Sequence, residues 1–340
     1  MSDLCIIKLT DLDSIFALSD TLLKNIYTHE ELSIKNNKNF NPDYLQFVIF
    51  VLKGDLPLAR LAIYENGQIR VALNNALVIG NFESVNDKQV VDLIFGEAEK
   101  YAKENNYASL VGPINGSTWD NYRLPVESNY PLFFTEEIYK NYYSDLFCIS
   151  GFELLTEYYS TGISDLASIV HEPIHPRQTF FLNSGIQVRS ISKEKLEEDL
   201  ELIYHFSMQK FSKNYLFSSI PKSYFIAKYL PLKQYIDPNY CLMAFDVNND
   251  LVAFIFCIPD LLNKDSNTLI VKTVAGKDGR NYAGITTWLF RQIVAKAIQN
   301  GYTYIINAFM HKNNVSINIS RKYKSEIIRT YHLYIKKFNA

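Results

Sequence analysis

The loop formed by residues 276–285 has the residue types of a phosphate-binding turn. It reads GKDGRNYAGI and lies between a predicted buried strand and a predicted helix. Backbone N–H groups at a helix N-terminus bind phosphate oxygens, and small residues let the backbone come close to them. Arg280 adds a fixed positive charge that can hold a phosphate through two hydrogen bonds. Because neither GxxxxGK[ST] nor GxGxxG is present, the loop is either a phosphate site of another kind or an ordinary turn.

Two predicted strands and one predicted helix must position this loop. Residues 268–275 have the pattern of a strand, residues 283–300 that of a helix, and residues 302–309 that of the next strand. Since the connections are short, we predict a parallel strand pair joined by a right-handed crossover. The helix carries apolar residues one turn apart on a single face, namely Ile285, Leu289, Ile293 and Ala297.

The chain runs twice through a similar order of predicted elements. The first half contains strand 4–9, helix 11–27, strands 57–64 and 76–83, helix 87–104 and strand 107–113. The second half opens with strand 186–191, helix 194–213 and a hairpin of strands 240–246 and 251–258. We therefore predict an α/β protein of two tandem domains, each a mixed, partly parallel twisted sheet flanked by helices. The predicted divisions are a domain over 1–164, a linker over 165–184 and a domain over 185–340.

The composition excludes several classes of protein. The chain has 340 residues with 34 Lys and Arg against 36 Asp and Glu, and this near-balance argues against a general nucleic-acid binder. No apolar run approaches the length of a membrane span, and no secretory signal is visible at the N-terminus. Four cysteines without CxxC spacing indicate reduced thiols rather than disulfides or a zinc site. We expect a cytoplasmic protein that binds neither membrane nor nucleic acid, with a homodimer as a further possibility.

Several motifs together resemble the GNAT superfamily of N-acetyltransferases, in a tandem arrangement. The Arg-x-x-Gly/Ala-x-Gly/Ala pattern at 280–285, with the following helix, strand and Asn-containing segment 311–316, is similar to the acetyl-coenzyme A site of that superfamily. Residues 146–153, LFCISGFE, resemble its LYxxxGF ending. Residues 112–120 and 258–260 resemble a group of uncharacterised bacterial tandem GNAT proteins.

The resemblance implies a reaction and a set of binding residues. An acetyl or other acyl group would move from coenzyme A to a primary amine, of a small molecule or a peptide, by direct attack and without a metal. Backbone amides after Thr273 would polarise the thioester carbonyl, as an oxyanion hole does. The residues implied to bind the co-substrate acetyl-CoA, or another acyl-CoA, are Thr273, Val274, Ala275, Arg280, Asn281, Tyr282, Ala283, Gly284, Ile285 and Asn313.

The candidate catalytic residues include departures from the superfamily pattern. If Asn313 starts the motif, the tyrosine that usually protonates the departing thiolate is replaced by Ser320. Tyr323, one helical turn further on, is a possible substitute. His311, whose reference pKa is near 6.5, is a candidate base for the amine, and Asp260 is a second candidate. The alternative for His311 and Asp260 is an ordinary structural or surface role.

Other departures affect binding. The loop has Ala283 where glycine is usual, and the branched Ile285 is expected to crowd the approach to the backbone. In the first half the corresponding loop, residues 83–89, reads ESVNDKQ. It lacks glycine and arginine and carries two acidic residues that would repel a pyrophosphate. The first domain is therefore predicted to be degenerate and not to bind the co-substrate.

Two other functions stay open at this point. One is a binding protein that keeps the fold without turnover, which Ser320 and Lys324 favour because tyrosine and glycine are expected at those positions. The other is an aminoacyl-tRNA-dependent transferase, which the net charge of −2 and the lack of a long helical arm disfavour. Residues 171–175 match HExxH, but Pro173 and Pro176 argue against the helix that a zinc site needs, so no metal is expected.

Overall fold

The computed structural model describes residues 4–35, 40–171, 176–314, 317, 320 and 322–338. The strands are β1 Leu4–Leu9, β2 Leu45–Lys53, β3 Leu56–Tyr64, β4 Arg70–Val71, β5 Asn74–Ser84, β6 Ser109–Gly112, β7 Leu124–Ser128, β8 Glu153–Ile163, β9 Gln187–Ser190, β10 Cys241–Phe245, β11 Leu251–Pro259, β12 Thr268–Gly276, β13 Tyr304–His311 and β14 Glu326–Lys337. The helices are α1 Leu12–Ile26, α2 His29–Ile34, α3 Lys88–Glu104, α4 Tyr143–Ile149, α5 Leu166–His171, α6 Pro176–Asn183, α7 Leu196–Phe211, α8 Lys222–Tyr229 and α9 Ile285–Gln299.

The strands form one mixed sheet across the described part of the chain. Their order is β1-β2-β3-β5-β6-β14-β8-β13-β12-β11-β10-β9, with β4 beside β5 and β7 beside β14. Two neighbouring pairs in this order are parallel, β5 with β6 and β12 with β13, and each pair is bridged by a helix, α3 or α9. The predicted α/β fold of mixed, partly parallel sheets flanked by helices is confirmed.

The bridging helices are held by the apolar faces that the sequence shows. Ile285, Leu289, Ile293 and Ala297 of α9 are at most 1% exposed and pack in one core with β11, β12 and β13. Val90, Ile94 and Ala98 of α3 are fully buried against the first half of the sheet. Burial of a Leu or Ile side chain contributes about 1.5–3 kcal/mol to stability, so these apolar faces hold each helix against the sheet.

The last strand of each half crosses to the other half. β8 pairs with β13 of the second half, from Ile305↔Ile163 to His311↔Tyr158. β14, the last strand of the chain, pairs with β6 of the first half and with β8. The sheet is therefore continuous, and each half supplies a strand to the centre. The division at 1–164, 165–184 and 185–340 stays a prediction.

The exchange makes β14 a strand on which both halves depend. Leu333 is fully buried there, and its replacement by Ala would leave a cavity in the centre of the sheet. We expect Leu333→Ala to lower the free energy of unfolding by about 2–5 kcal/mol. Urea unfolding followed by circular dichroism measures this loss, and it should appear as a single transition.

Ile327→Ala is the matched control on the same strand, because Ile327 is 52% exposed. Its effect should stay within about 0.5 kcal/mol. Two separate transitions, with only one of them moved by Leu333→Ala, would contradict the dependence of both halves on β14.

Candidate functional site

The parallel strands β12 and β13 separate after a short paired segment. They pair from Thr268↔Tyr304 to Val271↔Asn307, and both strands continue beyond that point. β12 stays paired with β11 as far as Gly276, while the end of β13 pairs with β8. We call the space between residues 272–276 of β12 and 308–311 of β13 the wedge. Among the described residues, one backbone edge of β12 therefore has no partner strand along the wedge.

The alternation of an antiparallel ladder determines which amides point into the wedge. The N–H of Lys277 donates to Val252 O of β11 at 2.7 Å, and the register is regular back to Thr273. Successive residues turn their N–H groups to opposite sides. We infer that the amides of Thr273 and Ala275 face β11, whereas those of Val274 and Gly276 face the wedge. Among the residues predicted to polarise a carbonyl, Val274 is the one whose amide is available.

A large cavity opens from the wedge. Its volume is about 1240 Å³, and its lining includes residues 271–274 of β12 and 307–311 of β13. The remaining walls come from both halves of the chain: residues 118–123 and 134–137, residues 213–215 after α7, and Lys228 and Tyr229 of α8. Tyr215 and Phe217, from the segment between α7 and α8, are part of the lining. The cavity can therefore hold a molecule that touches the wedge at one end.

The predicted phosphate loop follows β12 and leads into α9. Gly284 is the residue before the helix and has φ +87°, a conformation that glycine adopts without strain. It has no side chain to cap the helix, so the first amides of α9 are free to bind an anion. Arg280 is exposed, and Arg177 of α6 donates to the carbonyls of Ala283, at 3.2 Å, and of Arg280.

The expected crowding by Ile285 is wrong. Its side chain is 1% exposed and turns into the core beneath the loop. A Cβ placed on Gly276 would lie 2.9 Å from Ile285 Cγ2, so glycine is needed there for this packing. Because Ile285 points inward, the outer side of the turn is left to the backbone and to the exposed side chains of Arg280 and Asn281. Tyr282 packs against the core, and its hydroxyl donates to Asp246 Oδ2 at 3.2 Å.

His311 lies at the end of β13 and faces the cavity. Its ring packs on Tyr158 and Tyr215, with centroids 5.0 Å and 5.6 Å away. The N–H of Asn313 donates to Nδ1 at 3.3 Å, so Nε2 carries the proton of the neutral ring and faces Thr156 Oγ1 at 2.9 Å. Desolvation, followed by the nearby charges of Lys312 and Arg123, lowers the pKa of His311 below its usual 6.5. The neutral form that a base requires is therefore favoured near pH 7.

The other predicted catalytic residues are buried beside the cavity rather than in its lining. Ser320 is 3% exposed, and its Oγ is 3.0 Å from Thr161 Oγ1 and 3.3 Å from Asn307 Nδ2. Tyr323 is 7% exposed and packs on Phe290 with ring centroids 5.8 Å apart. The acid role of either residue stays a prediction.

Asp260 is enclosed by donors at the end of β11. Its Oδ1 accepts the backbone N–H groups of Phe134 at 2.9 Å and Leu262 at 3.2 Å. Its Oδ2 accepts Asn263 Nδ2 at 2.8 Å. A carboxylate with these partners holds the loop after β11 against the segment around Phe134. Its role as a base stays a prediction, and His311 is the candidate base that lines the cavity.

Two cavity residues were not singled out by the sequence analysis. Lys272 is the extra residue at a bulge, where the register of β12 with β11 shifts between Phe256 and Cys257. Desolvation, followed by the charges of Arg123 and Lys228, lowers the pKa of Lys272 to about 7. A lone lysine inside the apolar run of β12, TLIVKTVAG, is a signal that could have found it. Arg123, which has φ +70°, gives no such signal in the sequence.

The corresponding space in the first half is filled by its own chain. β5 and β6 pair from Ala76↔Ser109 to Val78↔Val111. Beyond them, Ile114 N donates to Ile79 O at 2.8 Å, and the N–H of Asn81 donates to Asn115 Oδ1 at 2.8 Å. A Cβ placed on Gly80 would lie 2.2 Å from Ile114 O. Residues 112–116 therefore occupy the position that the wedge leaves open in the second half.

Glu83, at the end of β5, is part of a buried polar cluster. Its carboxylate accepts the hydroxyls of Tyr27 and Tyr143, each at 2.7 Å, and lies 2.7 Å from Lys35 Nζ. The following helix, α3, is capped by Asp87, whose side chain accepts the N–H of Gln89. A carboxylate thus takes the place of an incoming anion at this helix N-terminus.

Comparisons with solved structures show the same fold at low sequence identity. A probable N-acyltransferase of unknown function from Enterococcus faecalis matches with a TM-score of 0.57 and 9% identity, over 98% of this chain and 73% of that one. A tandem GNAT protein from the clavulanic acid biosynthesis pathway matches with a TM-score of 0.54 and 9% identity, over 99% of both chains. The chain covers 38% of a fungal multi-domain GH3 β-N-acetylglucosaminidase that contains a GCN5-related glucosamine N-acetyltransferase region, with a TM-score of 0.54 and 12% identity over 99% of this chain.

The chain therefore has the tandem GNAT fold, and the resemblance drawn from its motifs is confirmed at that level. No family model matches the sequence, and no curated protein matches it. Within the described residues no group of three His, Cys, Asp or Glu side chains is placed to hold a metal ion, and no helix is long and apolar enough to cross a membrane. His171 ends α5, and residues 172–175 of the HExxH match lie outside the described residues.

The position of Lys272 predicts a cost to stability. In the unfolded chain its pKa returns to the ordinary 10.5, so between about pH 7 and 10.5 the unfolded state binds more protons and stability rises with pH. Lys272→Met removes this cost and should raise the free energy of unfolding at pH 7 by about 2–4 kcal/mol. The gain should shrink toward zero as the pH approaches 10. Urea unfolding at pH 7, 8.5 and 10 measures it.

Lys53→Met is the control, because Lys53 is exposed at the end of β2. Its effect on stability should be small and independent of pH. If Lys272→Met is neutral or destabilising at pH 7, or if its gain does not fall with pH, the side chain is not held in a desolvated, cationic environment.

Proposed function

We propose that the chain is an N-acyltransferase that moves an acyl group from coenzyme A to a primary amine in the second half of the chain. The observation that carries the proposal is the wedge between β12 and β13. It exposes backbone amides beside a cavity of about 1240 Å³ and lies between that cavity and the uncapped start of α9. The tandem GNAT fold supports an acyltransferase, and the individual chemical roles are argued from the residues of this chain.

The residues present fit a coenzyme A thioester as co-substrate. The pyrophosphate would be held by the first amides of α9, after Gly284, with Arg280 as the main charged side chain. Asp278 in the same loop is neutralised by an ion pair with Lys210 of α7, so the loop keeps a positive balance. The edge of β12 at Val274 and Gly276 would bind the amide-containing arm as an added strand does. Asn281, Tyr282, Ala283 and Ile285 shape the turn.

The chemistry requires a polarised carbonyl and an uncharged amine. A thioester supplies an activated acyl carbon when it is bound. The amide of Val274, directed into the wedge, would donate a hydrogen bond to the carbonyl oxygen as charge develops there. His311 Nδ1 would accept one proton from the ammonium form of the acceptor and release its contact with Asn313. The amine nitrogen then forms the bond to the acyl carbon and loses its second proton, the bond to sulfur breaks, and the departing thiolate takes up that proton.

A second function is favoured by one observation. Ser320 and Tyr323 are both buried beside the cavity, so neither hydroxyl lines it. General acid catalysis is worth about 10²–10⁴ in rate. With neither predicted acid at the thioester, the chain would bind an acyl-coenzyme A without productive turnover. Sustained release of free thiol with any member of a primary-amine panel would exclude this binding-protein function.

We also propose a cytoplasmic location for this activity. Cys5, Cys148, Cys241 and Cys257 are all unpaired, and Cys241 and Cys257 are buried on adjacent strands. Free thiols of this kind persist in reducing compartments.

Replacing Arg280 tests the phosphate site. Arg280→Ala removes a charge-assisted contact worth about 1.5–3 kcal/mol, so the dissociation constant for coenzyme A should rise about ten-fold or more. Isothermal titration with coenzyme A, which requires no acceptor, measures the change. Lys88→Ala is the matched control, because Lys88 begins α3 at the corresponding place in the first half. An equal loss with Lys88→Ala, or no binding by the unaltered chain, would contradict the proposal.

Replacing His311 tests the base. Because the pKa of His311 lies below 6.5, kcat/KM should fall as the pH drops through that pKa. His311→Gln should lower kcat/KM about 10²-fold or more and remove this acidic limb. The measurement is thiol release across pH 5–8 with the best amine of the panel. His205→Gln, on the exposed side of α7, should change neither property; an acidic limb that survives in His311→Gln would assign the base to another group.

A further inference from the structure

The cavity contains more cationic side chains than its own carboxylates neutralise. Asp120 is paired with Lys228 at 2.7 Å. Glu136 accepts Arg329 Nη2 at 2.9 Å, and Glu137 lies 3.4 Å from Lys35 Nζ. Asp120 and Glu136 thus have a cation each, and Glu137 shares Lys35 with Glu83, which also lies 3.8 Å from Arg60 Nη2. Arg123 and Lys272, which also line the cavity, have no ion pair with any residue in the described ranges.

Arg123 is held rigidly while its hydrogen-bond donors stay unused. The side chain is 9% exposed, and its guanidinium lies over the rings of Tyr122 and Phe309, 3.9 Å and 4.5 Å from their centroids. Nη1 is buried and has no hydrogen-bond partner within the described chain. Burying an unsatisfied charged donor is costly, whereas an anionic ligand would satisfy it. The aromatic rings fix the plane in which the donors point.

Lys272 brings a second cation to the same place. Its Nζ lies 4.3 Å from the centroid of the Phe309 ring, the ring that also contacts Arg123. The charge of Arg123 is one cause of the lowered pKa of Lys272, which reflects how close the two groups are. The two cations repel each other unless an anion lies between them.

We infer that Arg123 and Lys272 bind a carboxylate carried by the amine acceptor. This inference rests on the proposed function and names the substrate class of the same site, an amine that is also an acid. The planar guanidinium matches a carboxylate with two parallel hydrogen bonds, and the ammonium of Lys272 adds a third contact. Lys272 is two residues from Val274, whose amide is proposed to bind the thioester carbonyl. The carboxylate of the acceptor is therefore bound a few bonds away from its reacting amine.

This anion site is distinct from the proposed phosphate site. Lys272 and Gly276 are four residues apart on β12, about 13 Å along an extended strand, and Arg280 lies beyond Gly276. The two sites can therefore be occupied together and tested separately.

The first test measures anion binding without turnover. The melting temperature is compared in sodium glutarate, sodium phosphate and sodium chloride at equal ionic strength. We expect glutarate to raise it above the chloride value, and the rise to disappear in Arg123→Gln and Lys272→Gln. Arg70→Gln and Lys53→Gln, both at exposed positions, should keep the full rise.

The second test measures acceptor choice in the full chain. Thiol release is compared for γ-aminobutyrate and butylamine, which differ by the carboxylate. We expect kcat/KM to favour γ-aminobutyrate at least ten-fold, and Arg123→Gln to abolish the preference mainly through KM. If Arg123→Gln does not fold, Lys272→Gln tests the same preference for γ-aminobutyrate. This substitution removes the second cation and leaves Arg123 and the aromatic rings around it in place.

The outcomes separate this inference from the proposed function. Coenzyme A binding with no response to glutarate, or a glutarate response that persists in both variants, overturns the inference alone. A phosphate response that exceeds the glutarate response and is lost in Arg123→Gln and Lys272→Gln overturns the carboxylate class. A glutarate response that requires Arg123 and Lys272, in a chain that does not bind coenzyme A, supports the anion site while the proposed function fails.

Discussion

The site depends on the point at which β12 and β13 stop pairing. A parallel ladder satisfies the backbone of both strands, and this one ends at Val271 and Asn307 although each strand continues. The strands can diverge because each keeps a partner on its other side, β11 for β12 and β8 for β13. The exposed amides of β12 face a space that water or a ligand must fill. The cavity and the position of His311 follow from this separation, and the bulge at Lys272 lies in the β11–β12 ladder at the same point of β12.

The two halves share a topology and differ at this one place. In the first half, residues 112–116 continue the hydrogen bonding of β5 and close the space, and the carboxylate of Asp87 takes the place of an anion at the start of α3. In the second half nothing in the described chain does so. The exchange of β8 and β14 explains how the halves still act together, since the wall of the second-half cavity includes residues 118–123 and 134–137 of the first half. The first half, in which the corresponding space is filled, thus forms part of the wall of the cavity in the second half.

Much of this fold was predictable from the sequence, and the reasons are local. The apolar faces of α3 and α9 and the short connections around them predict the two parallel crossovers correctly. The strands β8 and β14 were not predicted as parts of the sheet, because their partners are distant in sequence and the exchange between halves leaves no local signal. β2 was missed although it pairs with the neighbouring β3, because its buried apolar run lacks the alternation of a half-buried strand. The phosphate loop was found from its residue types. Lys272 leaves a signal as a lone lysine in the apolar run of β12, whereas Arg123 leaves none. That both cations lack an ion pair within the described chain becomes visible only when the partners of every neighbouring carboxylate are known.

Hydrogen exchange of backbone amides, followed by mass spectrometry with and without acetyl-coenzyme A, tests the central claim most directly. The claim is that one of two similar sites is open. The account predicts slower exchange on binding for peptides covering 272–276 and 284–288, and unchanged exchange for those covering 79–84 and 87–91. Slower exchange in the first half, or no change in the second half at saturating ligand, would contradict it.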